Sequence, residues 1–209
     1  MREMVVIGTG LAARVIADAL TEPDYALVGF LYTGDAPPED FPYPVLGKFD
    51  EAENFAADGR SFIVAEENLK AREALMNALP LLDFQPVIHP AAYVARNVRV
   101  GPCAYIGAGA IVGTDAIISG CTYIGEGAIV GATSQIAPYC QIQSRVNIGS
   151  GVLVEPRCFI GQSATLKDNI TIAGGTVIQT GEIVVKDMVM KMVYKRGAWI
   201  YKENGIPEK

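Results

Sequence analysis

From Ile88 onward an aliphatic side chain or Met returns at every sixth position, eighteen times without an insertion, ending at Met190. Small residues stand two places before many of these aliphatics: Ala92, Ala104, Ala110, Ala116, Thr122, Ala128, Ser134, Cys140, Cys158, Ala164 and Thr176. Glycine often follows directly, as at Gly101, Gly107, Gly113, Gly125, Gly131, Gly149 and Gly161. A helical period of 3.6 cannot stay in step with a strict six over about a hundred residues, so an α-solenoid is excluded. A hexapeptide period is the signature of a parallel β-helix, in which three hexapeptides make one triangular coil of about 18 residues. The alternation of small and branched residues suits a narrow, packed interior. Glycine is expected at corners, where the backbone turns without a Cβ clash.

The first part of the chain has a different rhythm. Residues 3–8, EMVVIG, form a short apolar run ending in glycine and predict a buried strand. Gly8-Thr9-Gly10-Leu11-Ala12-Ala13 follows, then an amphipathic helix to about Leu20, then a second strand from Ala26 to Tyr32. This is a βαβ unit with G-x-G-x-x-A at its first turn, where a dinucleotide fingerprint would stand. Asp35 is the only carboxylate near the end of the second strand. Without a ligand, the same glycines would make a tight strand–helix turn. A proline-rich loop spans 35–44, followed by a short helix near 49–57, a strand at Ser61–Ala65 and a helix at about Glu67–Leu79. The expected divisions are a small Rossmann-like domain over 1–85, the β-helix over 86–190 and a tail over 191–209. The first 85 residues are too few for a two-halved dinucleotide domain, which argues against hydride transfer.

Charge and cysteine content narrow the setting. A formal net charge of −6 argues against nucleic acid or an anionic membrane as partner. No apolar run reaches the length of a membrane span, and MREMVVIGTG lacks a signal-peptide pattern, so a cytoplasmic location is expected. Cys103 and Cys121 lie one coil apart, as do Cys140 and Cys158, so each pair should stack about 4.8 Å apart. Cys140 and Cys158 stand at inward small positions, so core packing is their expected role, all four thiols are expected to be reduced, and no metal site is expected because no His or carboxylate shares their frame.

The order of a small Rossmann-like domain, Val87-Ile88-His89-Pro90-Ala91-Ala92-Tyr93-Val94 and then hexapeptides resembles the sugar O- and N-acyltransferase family. That family groups sialic-acid O-acetyltransferases with bacterial N-acetyltransferases acting on UDP- or GDP-linked amino sugars. The segments that carry the resemblance are VVIGTGLAARVIADAL, ALVGFLY, YPVLGKFDE, PVIHPAAYV and CFIGQSATLKDNITIAGGTVIQTGEIVVKD. The resemblance implies a left-handed β-helix, a homotrimer with acyl-CoA in the groove between neighbouring helices, and a nucleotide-linked sugar held by the N-terminal domain. Acetyl-CoA or another acyl-CoA would be co-substrate, with no metal. Gly8, Thr9, Gly10, Leu11, Tyr32, Thr33 and Asp35 would face the nucleotide. Gly161, Ala173, Gly174, Gly175, Thr180, Gly181 and Lys186 would face CoA. Lys186, Lys191, Lys195 and Arg196 either meet the CoA 3′-phosphate or form a solvated face. Ala198-Trp199-Ile200-Tyr201 would pack on the end of the helix or on a neighbouring subunit.

The chain departs from the family pattern in the chemistry. The family turn Gly-Gly-His-Ala is replaced by Gly10-Leu11-Ala12-Ala13, and Tyr32-Thr33 stand where the family has acidic residues. The family's catalytic His-acidic pair falls on Ala132-Thr133, and its upstream Asn-Thr near Gly125-Glu126. His89 is the single imidazole in the chain. A hydroxyl acceptor needs a general base, which typically adds about 10²–10⁴ to the rate. An amine attacks once neutral, and desolvation favours that form. N-acylation is therefore favoured, with His89, Glu126 and Glu155 as candidate catalytic residues and Asp115 as a further carboxylate. The alternative is a non-catalytic hexapeptide protein that binds a sugar nucleotide or regulates a partner.

Overall fold

The fold, a computed structural model, describes residues 1–21, 23–191, 193–195 and 198–200. The N-terminal unit is a four-stranded parallel sheet of β1 (Arg2–Ile7), β2 (Tyr25–Tyr32), β3 (Val45–Lys48) and β4 (Ser61–Val64), in the order β3-β2-β1-β4. Met4 to Ile7 in the centre are fully buried, as a parallel strand covered on both faces requires. Val45–Lys48, within a stretch read only as following the loop, pairs with β2. Helix α1 (Leu11–Ala17) stops three residues short of the expected Leu20. Helices α2 (Ala52–Ala56, after a 3₁₀ turn at Phe49–Glu51) and α3 (Leu69–Ala78) complete the unit. Asn68 caps α3 by accepting from the Lys70 and Ala71 N–H groups at 3.0 and 3.1 Å.

From Val87 the chain winds as a left-handed parallel β-helix, two residues per strand. Its first face stacks Val87–Ile88, Tyr105–Ile106, Tyr123–Ile124, Gln141–Ile142, Phe159–Ile160 and Val177–Ile178. The second face runs from Tyr93–Val94 to Ile183–Val184, and the third from Arg99–Val100 to Thr171–Ile172. From Val87 to Val184 each strand pairs with the one 18 residues on. The period-six residues point inward: Ile106, Val112, Ile118, Ile124, Val130, Ile136 and Ile142 are all fully buried. At the far end Val193–Lys195 continues the first face, and Ala198–Ile200 pairs with it antiparallel. Tyr201 and Arg196 lie outside the described residues.

The corners correct the expected role of glycine. Every sixth residue from Asn97 to Gly181, fifteen in all, has φ between about +56° and +72°; ten of the fifteen are not glycine. The αL conformation costs a non-glycine residue roughly 1–2 kcal/mol. The coil stack imposes it, so the left-handed residue lies three places after the aliphatic. The glycines directly after the aliphatics serve a different need. A Cβ on Gly101 or Gly125 would stand 2.5 or 2.6 Å from a backbone nitrogen of the next coil.

The N-terminal unit rests on the first face and on the edge between the third and first faces. That edge stacks Cys103, Cys121, Tyr139 and Arg157, all in the left-handed conformation. The Val64 N–H donates to Cys103 Sγ at 3.2 Å, the Tyr123 hydroxyl donates to the Val64 carbonyl, and Arg157 Nε donates to Glu73 at 3.0 Å. The two cysteine pairs thus differ. Cys140 and Cys158 fill the prism, whereas Cys103 and Cys121 point outward and are buried by the N-terminal unit. Burial pushes the Cys103 thiol well above its ordinary value.

Candidate active site

Two cavities open beside α1, one of them against the β-helix. The larger, about 550 Å³, lies between α1 and the first face, with Tyr105, Tyr123, Gln141 and Phe159 on one wall and Leu11, Ala12, Val15 and Ile16 on the other. Its end is the edge between the first and second faces, at Gly125, Glu126, Gln143 and Ser144. The smaller, about 360 Å³, lies over the β1–α1 turn and is lined by Gly8, Thr9, Gly10, Thr33, Ala65 and Glu66. Leu11, Ala12 and Glu67 line both, so the two spaces adjoin.

The turn residues have separate reasons. A Cβ at Gly8 would lie 2.4 Å from the Ala65 carbonyl oxygen, and φ there is +125°, so Gly8 is required by packing. A Cβ at Gly10 would meet nothing within 4 Å, so the space beside it is open. The Ala12 N–H at the start of α1 donates to Glu67 Oε1 at 3.1 Å. A carboxylate of the chain itself therefore holds the place a phosphate would take. No Lys or Arg is among the lining residues of the smaller cavity. Of the expected nucleotide residues, Gly8, Thr9, Gly10, Leu11 and Thr33 come together here, while Tyr32 and Asp35 lie outside the lining.

The three candidate catalytic residues stand apart. Glu126 lines the larger cavity, and Ser144, one coil above, donates its hydroxyl to Glu126 Oε2 at 2.6 Å. Glu155 stands on the edge between the third and first faces, where its Oε2 accepts the Gly174 N–H at 2.8 Å and ties one coil to the next. His89 lies on the Glu126 edge, two coils below. Its Nδ1 accepts the Ala91 N–H at 3.0 Å, and it lines neither cavity. Asp115, Ala132 and Thr133 stand on the edge between the second and third faces, also away from both cavities.

The expected CoA residues divide over all three edges, because steps of twelve or thirteen residues move two edges around a prism of period six. Gly161, Thr180 and Gly181 share the Glu126 edge. Ala173, Gly174 and Gly175 stand on the Glu155 edge, and Lys186 on the third. They form no single surface on one chain. Lys186 and Lys191 are exposed, the latter with its stem about 3.2 Å from where a Gly175 Cβ would stand.

Residues outside the aliphatic frame complete the site. Tyr105, Tyr123, Gln141 and Phe159 each precede an inward aliphatic and recur every 18 residues, which was the legible signal. Arg72 on α3 carried none. It is fully buried, with its guanidinium carbon 3.7 Å from the Tyr123 ring centroid. Its Nη2 donates to Gln141 Oε1 at 2.7 Å, while Nε and Nη1 have no partner among the described residues. No group of His, Cys, Asp and Glu able to hold a metal is present among the described residues.

A family model described as the PglD N-terminal domain matches residues 3–79, and one described as the GMPPB C-terminal domain matches residues 84–193. No curated protein sequence matches the chain significantly. Among solved structures, PerB from Caulobacter crescentus, in complex with CoA and GDP-perosamine, superposes with a TM-score of 0.83 at 26% identity over 92% of this chain and 93% of that one. A histidine-to-asparagine mutant of perosamine N-acetyltransferase from the same organism, with the same ligands, gives 0.87 at 24% over 98% of each. The acetyltransferase domain of PglB from Neisseria gonorrhoeae FA1090, in complex with acetyl coenzyme A, gives 0.81 at 19% over 90% and 92%. By a β-helix that spans more than half its length the chain belongs to the family of the GMPPB C-terminal domain, and taken whole it is similar to sugar N-acetyltransferases that set a small Rossmann-like domain before hexapeptide repeats.

Proposed function

We propose that this chain transfers an acyl group from acetyl-CoA, or another acyl-CoA, to an amino group on a nucleotide-linked sugar, and that it works as a homotrimer. The observation that carries this reading is that the two cavities adjoin at Leu11, Ala12 and Glu67. A nucleoside end at Gly8–Gly10 and a sugar end beside Glu126 would fill both. PerB, the relative at 26% identity, was solved with CoA and GDP-perosamine, a ligand of this shape. The carboxylates of Glu66 and Glu67 suit the hydroxyl and N–H donors of a nucleoside better than a phosphate.

In the reaction the amine nitrogen attacks the thioester carbonyl carbon. The C–N bond forms, the C–S bond breaks, CoA leaves as the thiolate and takes a proton from water, and the nitrogen gives up a proton. Glu126 is the carboxylate assigned to receive that proton, held by the Ser144 hydroxyl. Exclusion of water and fixed geometry supply the rest.

Trimerisation is supported by apolar side chains left on the second and third faces. Tyr93 is 65% exposed, Ile111 43%, Ile129 39% and Leu153 37%. They flank the edge that carries Ala132 and Thr133, and burial between copies would remove them from water. Such a contact would create the crevice a pantetheine arm needs. The rival reading, binding without turnover, draws on Ala132 and Thr133, neither of which can act as a base at neutral pH. Titration calorimetry with acetyl-CoA, followed by mass analysis of GDP-, UDP- and dTDP-linked amino sugars incubated with it, decides between them. Absence of acetyl-CoA binding up to millimolar concentration defeats the enzyme reading.

A further inference from the structure

The Arg72–Gln141 contact has a chemical consequence for the larger cavity. A guanidinium only donates hydrogen bonds, so the atom of Gln141 that meets Arg72 Nη2 at 2.7 Å must be the amide oxygen. The other branch of the same amide is then the NH₂ group. Gln141 is half-buried and lines the cavity, and no protein acceptor for its NH₂ group is present among the described residues. Arg72 itself is fully buried, with two polar groups unsatisfied, in contact with Tyr123 and Gln141. A buried guanidinium without a carboxylate partner is costly, and a hydrophobic residue of similar volume is often as stable or more so. The contact with the Tyr123 ring and the bond to Gln141 are what offset that cost.

We infer that Arg72 is a positioning residue that turns the Gln141 amide so that both its N–H donors face the cavity, forming a subsite for an uncharged oxygen of the acceptor sugar. The subsite rests on the acyltransferase reading. Its wall fits a sugar ring: the half-buried Phe159 ring offers a face for C–H groups, the Gln141 amide donates, and Glu126 accepts. The resulting division of labour places acceptor recognition on the first face of the β-helix, set by a side chain from the N-terminal unit. Acceptor affinity thus depends on how that unit docks.

A double-mutant cycle tests this. Steady-state kinetics are measured with acetyl-CoA and whichever GDP-, UDP- or dTDP-linked amino sugar the wild-type protein acetylates best. Gln141→Leu should raise the KM for the sugar nucleotide about tenfold, in line with the loss of one or two hydrogen bonds. The KM for acetyl-CoA should stay within twofold. Arg72→Met should reproduce the sugar effect although Gln141 is intact, and the double variant should be no worse than either single one. Arg72→Lys, which can still donate to the amide oxygen, should recover part of the loss. Melting temperatures taken alongside should fall by less than about 3 °C for Arg72→Met. Additive effects, an unchanged sugar KM in Gln141→Leu, or a loss confined to melting temperature would overturn the inference while leaving the acyltransferase reading standing. A wild-type protein that acetylates no member of the panel would overturn both. Gln141→Leu alone still decides the matter if the Arg72 variants fail to fold.

Discussion

Ser144 stands directly above Glu126, eighteen residues on, and donates its hydroxyl to the Glu126 carboxylate at 2.6 Å. The bond crosses from one coil to the next, so the β-helix itself orients the carboxylate in the cavity. Glu126→Gln should lower kcat about a hundredfold, the small end of what a positioned base contributes. The KM for acetyl-CoA should be little changed. Ser144→Ala, which frees the carboxylate, should cost about three- to tenfold. Steady-state kinetics of both variants check this, and a kcat within threefold of wild type for Glu126→Gln would remove Glu126 from the chemistry.

His89 holds the entry to the first coil through its Nδ1 bond to the Ala91 N–H at 3.0 Å. His89→Ala should lower stability by about 0.5–1.5 kcal/mol, as the loss of a hydrogen bond does. It should change kcat by less than threefold. His89→Asn, which keeps an acceptor, should recover part of the stability. A hundredfold loss of kcat would instead place the imidazole in the reaction.

Gly8 and Gly10 separate packing from binding. Gly8→Ala puts a Cβ 2.4 Å from the Ala65 carbonyl oxygen and should cost about 3 kcal/mol or more. Gly10→Ala meets no protein atom within 4 Å and should leave the melting temperature within about 1 °C. If a nucleoside lies in the smaller cavity, Gly10→Ala should weaken binding of a sugar nucleotide at least fivefold by calorimetry. Unchanged affinity would move the nucleoside elsewhere.

Ile129 lies on the second face, 39% exposed and one coil from Ile111. Ile129→Glu should dissociate a trimer to monomers in analytical ultracentrifugation while leaving the far-ultraviolet circular dichroism unchanged. Acetyl-CoA binding should be lost with the oligomer. A wild-type protein that sediments as a monomer would remove the intersubunit groove from the account.

The N-terminal unit and its docking should both weaken in acid. The hydrogen bond from Arg157 holds the Glu73 carboxyl below its ordinary value, and the Ser61 hydroxyl at 2.6 Å does the same for Asp83. Their folded values lie below the unfolded ones, so their stabilisation is complete above about pH 5 and is lost as pH falls through the folded values. Melting temperature should therefore drop below about pH 4. Glu73→Gln should make that drop shallower, although the ion pair is partly exposed and its share is small. An identical slope in the variant would contradict the assignment.

How much of this was legible in advance differs by residue. The inward aliphatics named their own fold, since only a three-sided prism of parallel coils takes a branched side chain every sixth position. The cavity wall was half visible. Tyr105, Tyr123, Gln141 and Phe159 recur every eighteen residues, but a large residue at an outward position is equally at home under solvent or under another domain. Glu126 was one carboxylate among three candidates, each on a different edge, and only the placement of α1 over one of those edges distinguished it. The corner glycines were misread because a close approach between coils and a left-handed turn call for the same residue. Only backbone angles tell them apart.

What the sequence by itself determined is everything that depends on a local period: the triangular coil, the βαβ start, and the inward places of Cys140 and Cys158. What only the tertiary structure decided is everything that depends on contact between units distant along the chain. Arg72 meets Gln141 across sixty-nine residues, and Glu67 reaches the Ala12 N–H across fifty-five. The physical reason is that a repeat constrains each residue through its neighbours one turn away. The docking of a separate unit onto one face is set by shape, burial and a few directed hydrogen bonds, none of which leaves a period in the chain.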